Sequence, residues 1–293
     1  MILEKISNLE SSFALGNQSP TRRQLALLDA EHSLTPLEFQ QVARNLCTRF
    51  ADAQAALKTL YLSKLLANEA PTRFVRKPVA PDITLFHDPN VTRADKCIIF
   101  AFCGKAQRLS IPTGLFLQLI PSKDFDIVVL SDPSRNHFSR GSREYAPDFF
   151  HLVTRLDKEL KPDSYKNVCC YGTSMGGFVA LRCGLLLRTK AISVGGKFPW
   201  HVRRLLEPTD RAMPAFELLC VCKRSDAAKF VCVYGDRPND VAAVDHLATM
   251  FPVTRLQIRV PDHNVIFGMW KAGTLKQFYH EQFAFGSTSL AAG

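Results

Sequence analysis

The sequence has no long hydrophobic run: no stretch approaches the ~18–20 continuous apolar residues that a membrane span requires. Its opening residues, MILEKISNLESSF, place polar side chains where the apolar core of a secretion signal would lie, so a soluble, cytoplasmic chain is expected. Internal repeats and low-complexity tracts are absent from the sequence, as is any recognisable nucleic-acid-binding motif. Cysteines at metal-ligand spacing are also lacking. Cys220-Val221-Cys222 has no second pair to complete a site, and strand alternation would turn both side chains to one face, where core packing explains them.

What is present is the material of a large core: 293 residues, 46% hydrophobic and 22% charged. Nine cysteines, an odd number, sit mostly within apolar runs, as at Cys97, Cys103, Cys169, Cys170 and Cys232. Such thiols behave as small hydrophobes and favour a reducing compartment. The net charge of +10 is spread over short clusters (Arg22-Arg23, Arg203-Arg204, Lys223-Arg224), which reads as a solvated basic surface. The sharper alternative is attraction of an anionic substrate, for which Arg203 and Arg204 are the candidate binding residues.

Residues 1–80 read as a helical extension. TPLEFQQVARNLCTRFADAQAALKTLYLSKLLANEA carries apolar residues at helical spacing, with a start signal at Thr35-Pro36 and a stop near Pro71. TRFVRKPVAPD, with Pro78 and Pro81, reads as a connector. Residues 81–293 change texture: KCIIFAF, FDIVVL, KNVCCY, AISVG, FVCVY and RLQIRV are short apolar runs alternating with helical ones. Runs of this kind suit strands covered on both faces, and the expected fold is α/β, a mostly parallel sheet with helices on both sides. Residues 197–229 interrupt the alternation and read as a cap segment, with an irregular crossover as the alternative.

The run VCCYGTSMGGFVAL (168–181) carries Gly-x-Ser-x-Gly between a strand and a helix. That setting holds a serine on a strained turn, with its neighbours two positions away so close that only glycine fits at 172 and 176. Ser174 is therefore the candidate nucleophile, and the N–H of Met175, at the helix start, is a candidate oxyanion donor. A serine hydroxyl needs a base, and the base an orienting acid. Asp236 is the favoured acid, because it directly follows FVCVYG; Asp240, at the start of the next helix, is the alternative, with helix capping as its bland role. His263 lies just after a strand and is the candidate base, whereas His246 and His280 fall within helices and His201 in the cap-like region. In VLSDPSRNHFSRG, Asp132 reads as a loop-stabilising side chain, with Arg135 and Arg140 as less favoured contacts for an acidic acyl group.

With YGTSMGGFVALRCG, VYGDRPND and DHNVIFGMWKAGTL in this order, the sequence resembles the α/β-hydrolase superfamily over about residues 82–285. It also resembles a bacterial branch sometimes found beside polysaccharide-related genes. The resemblance implies a Ser-His-acid triad and an acyl-enzyme intermediate acting on an ester, thioester or amide. It implies a small-molecule acyl substrate, with neither metal nor organic cofactor. The sequence departs from the common pattern in having Pro238 three positions after the strand-end glycine, where the acid commonly stands. It departs again at FAFCGKAQR, in place of a His-Gly or Gly-Gly oxyanion loop, leaving Gly104 or Lys105, with Cys103 as the alternative, for the second donor. Ester or thioester hydrolysis is the leading expectation. Acyl transfer to a sugar, lipid or peptide and a non-catalytic ligand-binding scaffold are the alternatives.

Overall fold

The computed structural model describes residues 2–14, 20–196, 229–250, 252–261 and 263–283. Helices α1 (Ile2–Ala14), α2 (Pro20–Ser33), α3 (Pro36–Arg49), α4 (Ala53–Leu57) and α5 (Tyr61–Leu66) come first. Thr35 caps α3 in a reciprocal box: its hydroxyl accepts the Glu38 N–H, while the Glu38 carboxylate accepts the Thr35 N–H at 2.7 Å. Leu9, Leu27, Leu34, Phe39, Leu46 and Leu57 gather these helices around a core of their own.

An eight-stranded sheet follows, in the order β1-β2-β4-β3-β5-β6-β7-β8. Its strands are β1 (Val75–Ala80), β2 (Ile83–His87), β3 (Cys97–Phe102), β4 (Phe125–Leu130), β5 (Asn167–Thr173), β6 (Lys190–Val194), β7 (Phe230–Tyr234) and β8 (Val253–Gln257). Antiparallel pairing is confined to β2, against both β1 and β4; the other neighbours run parallel. Alternation along β3 shows why the central strands are apolar throughout. Ile98, Phe100 and Phe102 face α7 (Phe149–Leu160), α8 (Met175–Leu186) and α9 (Pro238–Met250), while Ile99 and Ala101 face α6 (Thr113–Gln118), α10 (Val265–Lys271) and α11 (Leu275–Phe283).

Two expectations are corrected. The stretch read as a connector contains edge strand β1, where Pro78 is tolerated because an edge needs no donor on its open side. The last strand is Val253–Gln257, not 255–260. Ile258 and Val260 owe their apolar character to packing beneath α10, where a side chain on Gly268 would meet Val260 at 2.5 Å. The proposed cap, with Arg203 and Arg204, lies outside the described residues except for Lys229. Among the described residues no helix is long and apolar enough to cross a membrane.

The N-terminal helices lie on α6, so this side of the molecule has a second helical layer. Gly114 of α6 approaches so closely that an added Cβ would lie 2.8 Å from Leu62 and 2.9 Å from the carbonyls of Glu31 and Leu34. Tyr61 of α5 packs edge-on against Phe267 and Trp270 of α10. The layer thereby touches the two segments that follow β3 and β8.

Candidate active site

β5 delivers Ser174 at the C-terminal edge of the sheet and α8 begins with the next residue. The serine holds φ 52° and ψ −117°, a conformation that costs a non-glycine residue of order 1–3 kcal/mol. Its N–H donates to the Val194 carbonyl at 2.8 Å, which ties the turn to β6. The glycines supply the clearance: a Cβ on Gly172 would sit 2.1 Å from the Gly176 carbonyl oxygen, and one on Gly176 would sit 2.2 Å from that of Phe102. Sequence spacing anticipates this close approach.

His263 lies between β8 and α10, with Nε2 3.1 Å from Ser174 Oγ. Its Nδ1 lies 3.1 Å and 3.2 Å from the two carboxylate oxygens of Asp240. An Nδ1–H donated to that carboxylate leaves Nε2 as the acceptor facing the serine hydroxyl. Gly195 holds φ +55°, which a side chain would strain, and a Cβ there would stand 3.1 Å from the His263 carbonyl oxygen.

Of the two candidate acids, the structure brings Asp240 rather than the favoured Asp236 to His263. Asp236 is exposed, and its carboxylate accepts from Gln257 Nε2 at 2.9 Å, away from the imidazole. Asp240 lies in the first turn of α9, buried against His263, where the helix terminus favours a carboxylate. Proximity to the strand end favours Asp236 in sequence, but the chain must make one helical turn before an acid faces the ring. His246 and His280 are exposed on their helices.

The oxyanion-donor candidates separate in the same way. The N–H of Cys103 donates to Leu130 O and that of Gly104 to Arg108 O, each at 2.9 Å, so both are already committed. Lys105, which lines the cavity beside Ser174, remains as the second candidate, with the N–H of Met175, which opens α8 and lacks an intrahelical acceptor. Gly104 serves by being small, since a Cβ there would lie 3.0 Å from the Thr173 carbonyl oxygen. Burial pushes the Cys103 thiol up to about 12, so it is no rival nucleophile.

A cavity of 280 Å³ opens on Ser174 and His263 and is walled by Lys105, Arg108, Val194 and Ile266. Behind it, Asp132 accepts the N–H groups of Asn136 (2.8 Å) and Phe138 (3.0 Å), the loop-stabilising role expected of it. The cationic wall at Lys105 and Arg108 has no local sequence signature; tertiary folding alone brings it to the serine.

No protein-family model and no curated protein matches the chain. Solved structures do. The fluorophosphonate-binding serine hydrolase F of Staphylococcus aureus is 12% identical, with a TM-score of 0.52 over 74% of this chain and 100% of its own. A 2,6-dihydroxy-pseudo-oxynicotine hydrolase is 13% identical, with a TM-score of 0.52 over 95% of this chain and 85% of its own. Pyrococcus horikoshii acylaminoacyl peptidase is 13% identical, also with a TM-score of 0.52, over 78% of this chain but 45% of its own. With the strand order above, these likenesses establish the α/β-hydrolase fold.

Proposed function

We propose that the protein is a serine hydrolase that cleaves a small ester or thioester through an acyl-enzyme. The observation that carries this reading is the continuous line from Asp240 through His263 to Ser174, at 3.1–3.2 Å and 3.1 Å, ending on a serine in a strained turn. The likeness to solved hydrolases supports it at the level of fold.

In this reading Ser174 Oγ attacks the acyl carbonyl as its proton passes to His263 Nε2, and Asp240 orients and stabilises the imidazolium. The carbonyl oxygen gains negative charge between the Met175 and Lys105 N–H groups. Collapse breaks the bond to the alcohol or thiol, which leaves with the proton from His263. Water then attacks the acyl-serine and gives its proton to His263, which returns it to Ser174 Oγ as the carboxylic acid departs.

Intact-mass analysis after treatment with a fluorophosphonate tests the nucleophile. One adduct, mapped to Ser174 and absent from Ser174→Ala, is expected. A folded wild type that takes up no adduct, or takes it elsewhere, overturns the assignment. Transfer to an alcohol is the second reading, since it uses the same triad and differs only in the group that accepts the acyl chain. It predicts a new ester when a sugar or lipid alcohol is added, whereas hydrolysis predicts free acid throughout.

A further inference from the structure

The wall of the Ser174 cavity carries positive charge that the triad does not use. Lys105 and Arg108 are both exposed on the loop after β3, and neither is paired with a carboxylate among the described residues. Arg108 has one polar side-chain partner, His32 of α2, with Nη1 and Nε2 2.9 Å apart. A guanidinium only donates, so His32 Nε2 accepts and the rest of the donor fork stays available.

The loop that carries these cations is stiff. Its turn closes through Gln107 N–H to Gly104 O and Gly104 N–H to Arg108 O, both at 2.9 Å. Gln107 and Ser110 hold positive φ, 58° and 67°, a strain kept by tertiary bonds. Gln107 Nε2 donates to Asp132 O at 2.7 Å, and Asn264, next to the candidate base, donates to Ser110 O at 3.2 Å. The same backbone thus positions the Lys105 N–H and the Arg108 side chain relative to Ser174.

We propose that Arg108, held by His32 and seconded by the Lys105 side chain, binds a carboxylate on the acyl portion of the substrate. The site then selects short esters or thioesters of dicarboxylic acids over neutral acyl groups of the same length. The proposal rests on Ser174 being the nucleophile. The cavity limits the acyl chain, the planar fork matches a carboxylate with paired hydrogen bonds, and Lys105 adds unpaired charge on the same wall. His32 is a positioning residue, and through it the N-terminal helical layer contributes to specificity.

The test compares kcat/KM for monomethyl glutarate and methyl pentanoate, with fluorophosphonate labelling of the wild type alongside. Wild type is expected to prefer the charged ester, and Arg108→Gln to lower the ratio about tenfold or more, chiefly through KM. His32→Ala should lower it in the same sense, and His32→Gln, which keeps an acceptor, should restore part of the loss. A wild type that labels at Ser174 yet shows no preference for the charged ester, or turns over neither ester, overturns this inference and leaves the nucleophile standing. An unchanged ratio in Arg108→Gln overturns it equally and reduces the His32 contact to a structural tie. Absence of labelling at Ser174 overturns both readings.

Discussion

At the scale of single residues, the turn at Ser174 is where sequence and geometry are most tightly bound. Gly172 faces a backbone carbonyl that cannot rotate away, so Gly172→Ala is expected to cost about 3 kcal/mol in urea denaturation and to abolish fluorophosphonate labelling. Near-wild-type stability would mean that the turn can open. Cys103 lies beside the same turn, with its thiol pushed up to about 12 by burial. Iodoacetamide at mildly alkaline pH should spare it until the protein unfolds, while modifying exposed Cys47 in the native state, as read by peptide mapping. The serine and histidine are legible in the sequence because each follows a recognisable strand within a few residues. The acid is not, since Asp236 and Asp240 are separated only by which way a helix start turns its carboxylates.

Among the elements, the two edge strands of the sheet were least legible. Strand β1 hides behind Pro78, and β8 is blurred by Ile258 and Val260, whose apolar character serves α10. The central strands were plain because burial on both faces leaves unbroken apolar runs. The helix-start signal at Thr35 is also realised, and Thr35→Ala should cost about 1 kcal/mol by the same denaturation. A quieter cost lies in α2. Glu31 is buried, and desolvation raises its carboxyl pKa, although its side chain accepts the Leu62 N–H at 2.6 Å. A raised folded pKa contributes stability in full below the unfolded value and loses it as pH rises through the folded one. Glu31→Gln keeps an acceptor without the charge. It should therefore be more stable than wild type at about pH 8, with the gap narrowing toward about pH 4. A gap that widens on acidification would contradict the burial argument.

The molecule as a whole joins a helical layer to a hydrolase-type sheet, and the junction touches the site at two places. Arg108 meets His32 on the loop after β3, and Phe267 and Trp270 meet Tyr61 just beyond His263. Neither contact was visible in the sequence of residues 1–80, which carries a helical pattern but no chemistry of its own. Such packing predicts one cooperative unfolding transition, coincident by far-ultraviolet circular dichroism and tryptophan fluorescence; two separated transitions would show the layer to be an independent unit. The three groups of the proposed triad come from the β5–α8 turn, the start of α9 and the segment before α10, so their alignment belongs to the assembled fold. The most direct test is the second-order rate of fluorophosphonate labelling in wild type, Asp240→Asn and Asp236→Asn. Asp240→Asn should label about 10³-fold more slowly or worse, and Asp236→Asn within about threefold of wild type. The reverse order, or equal rates in all three, would contradict the Ser174–His263–Asp240 assignment.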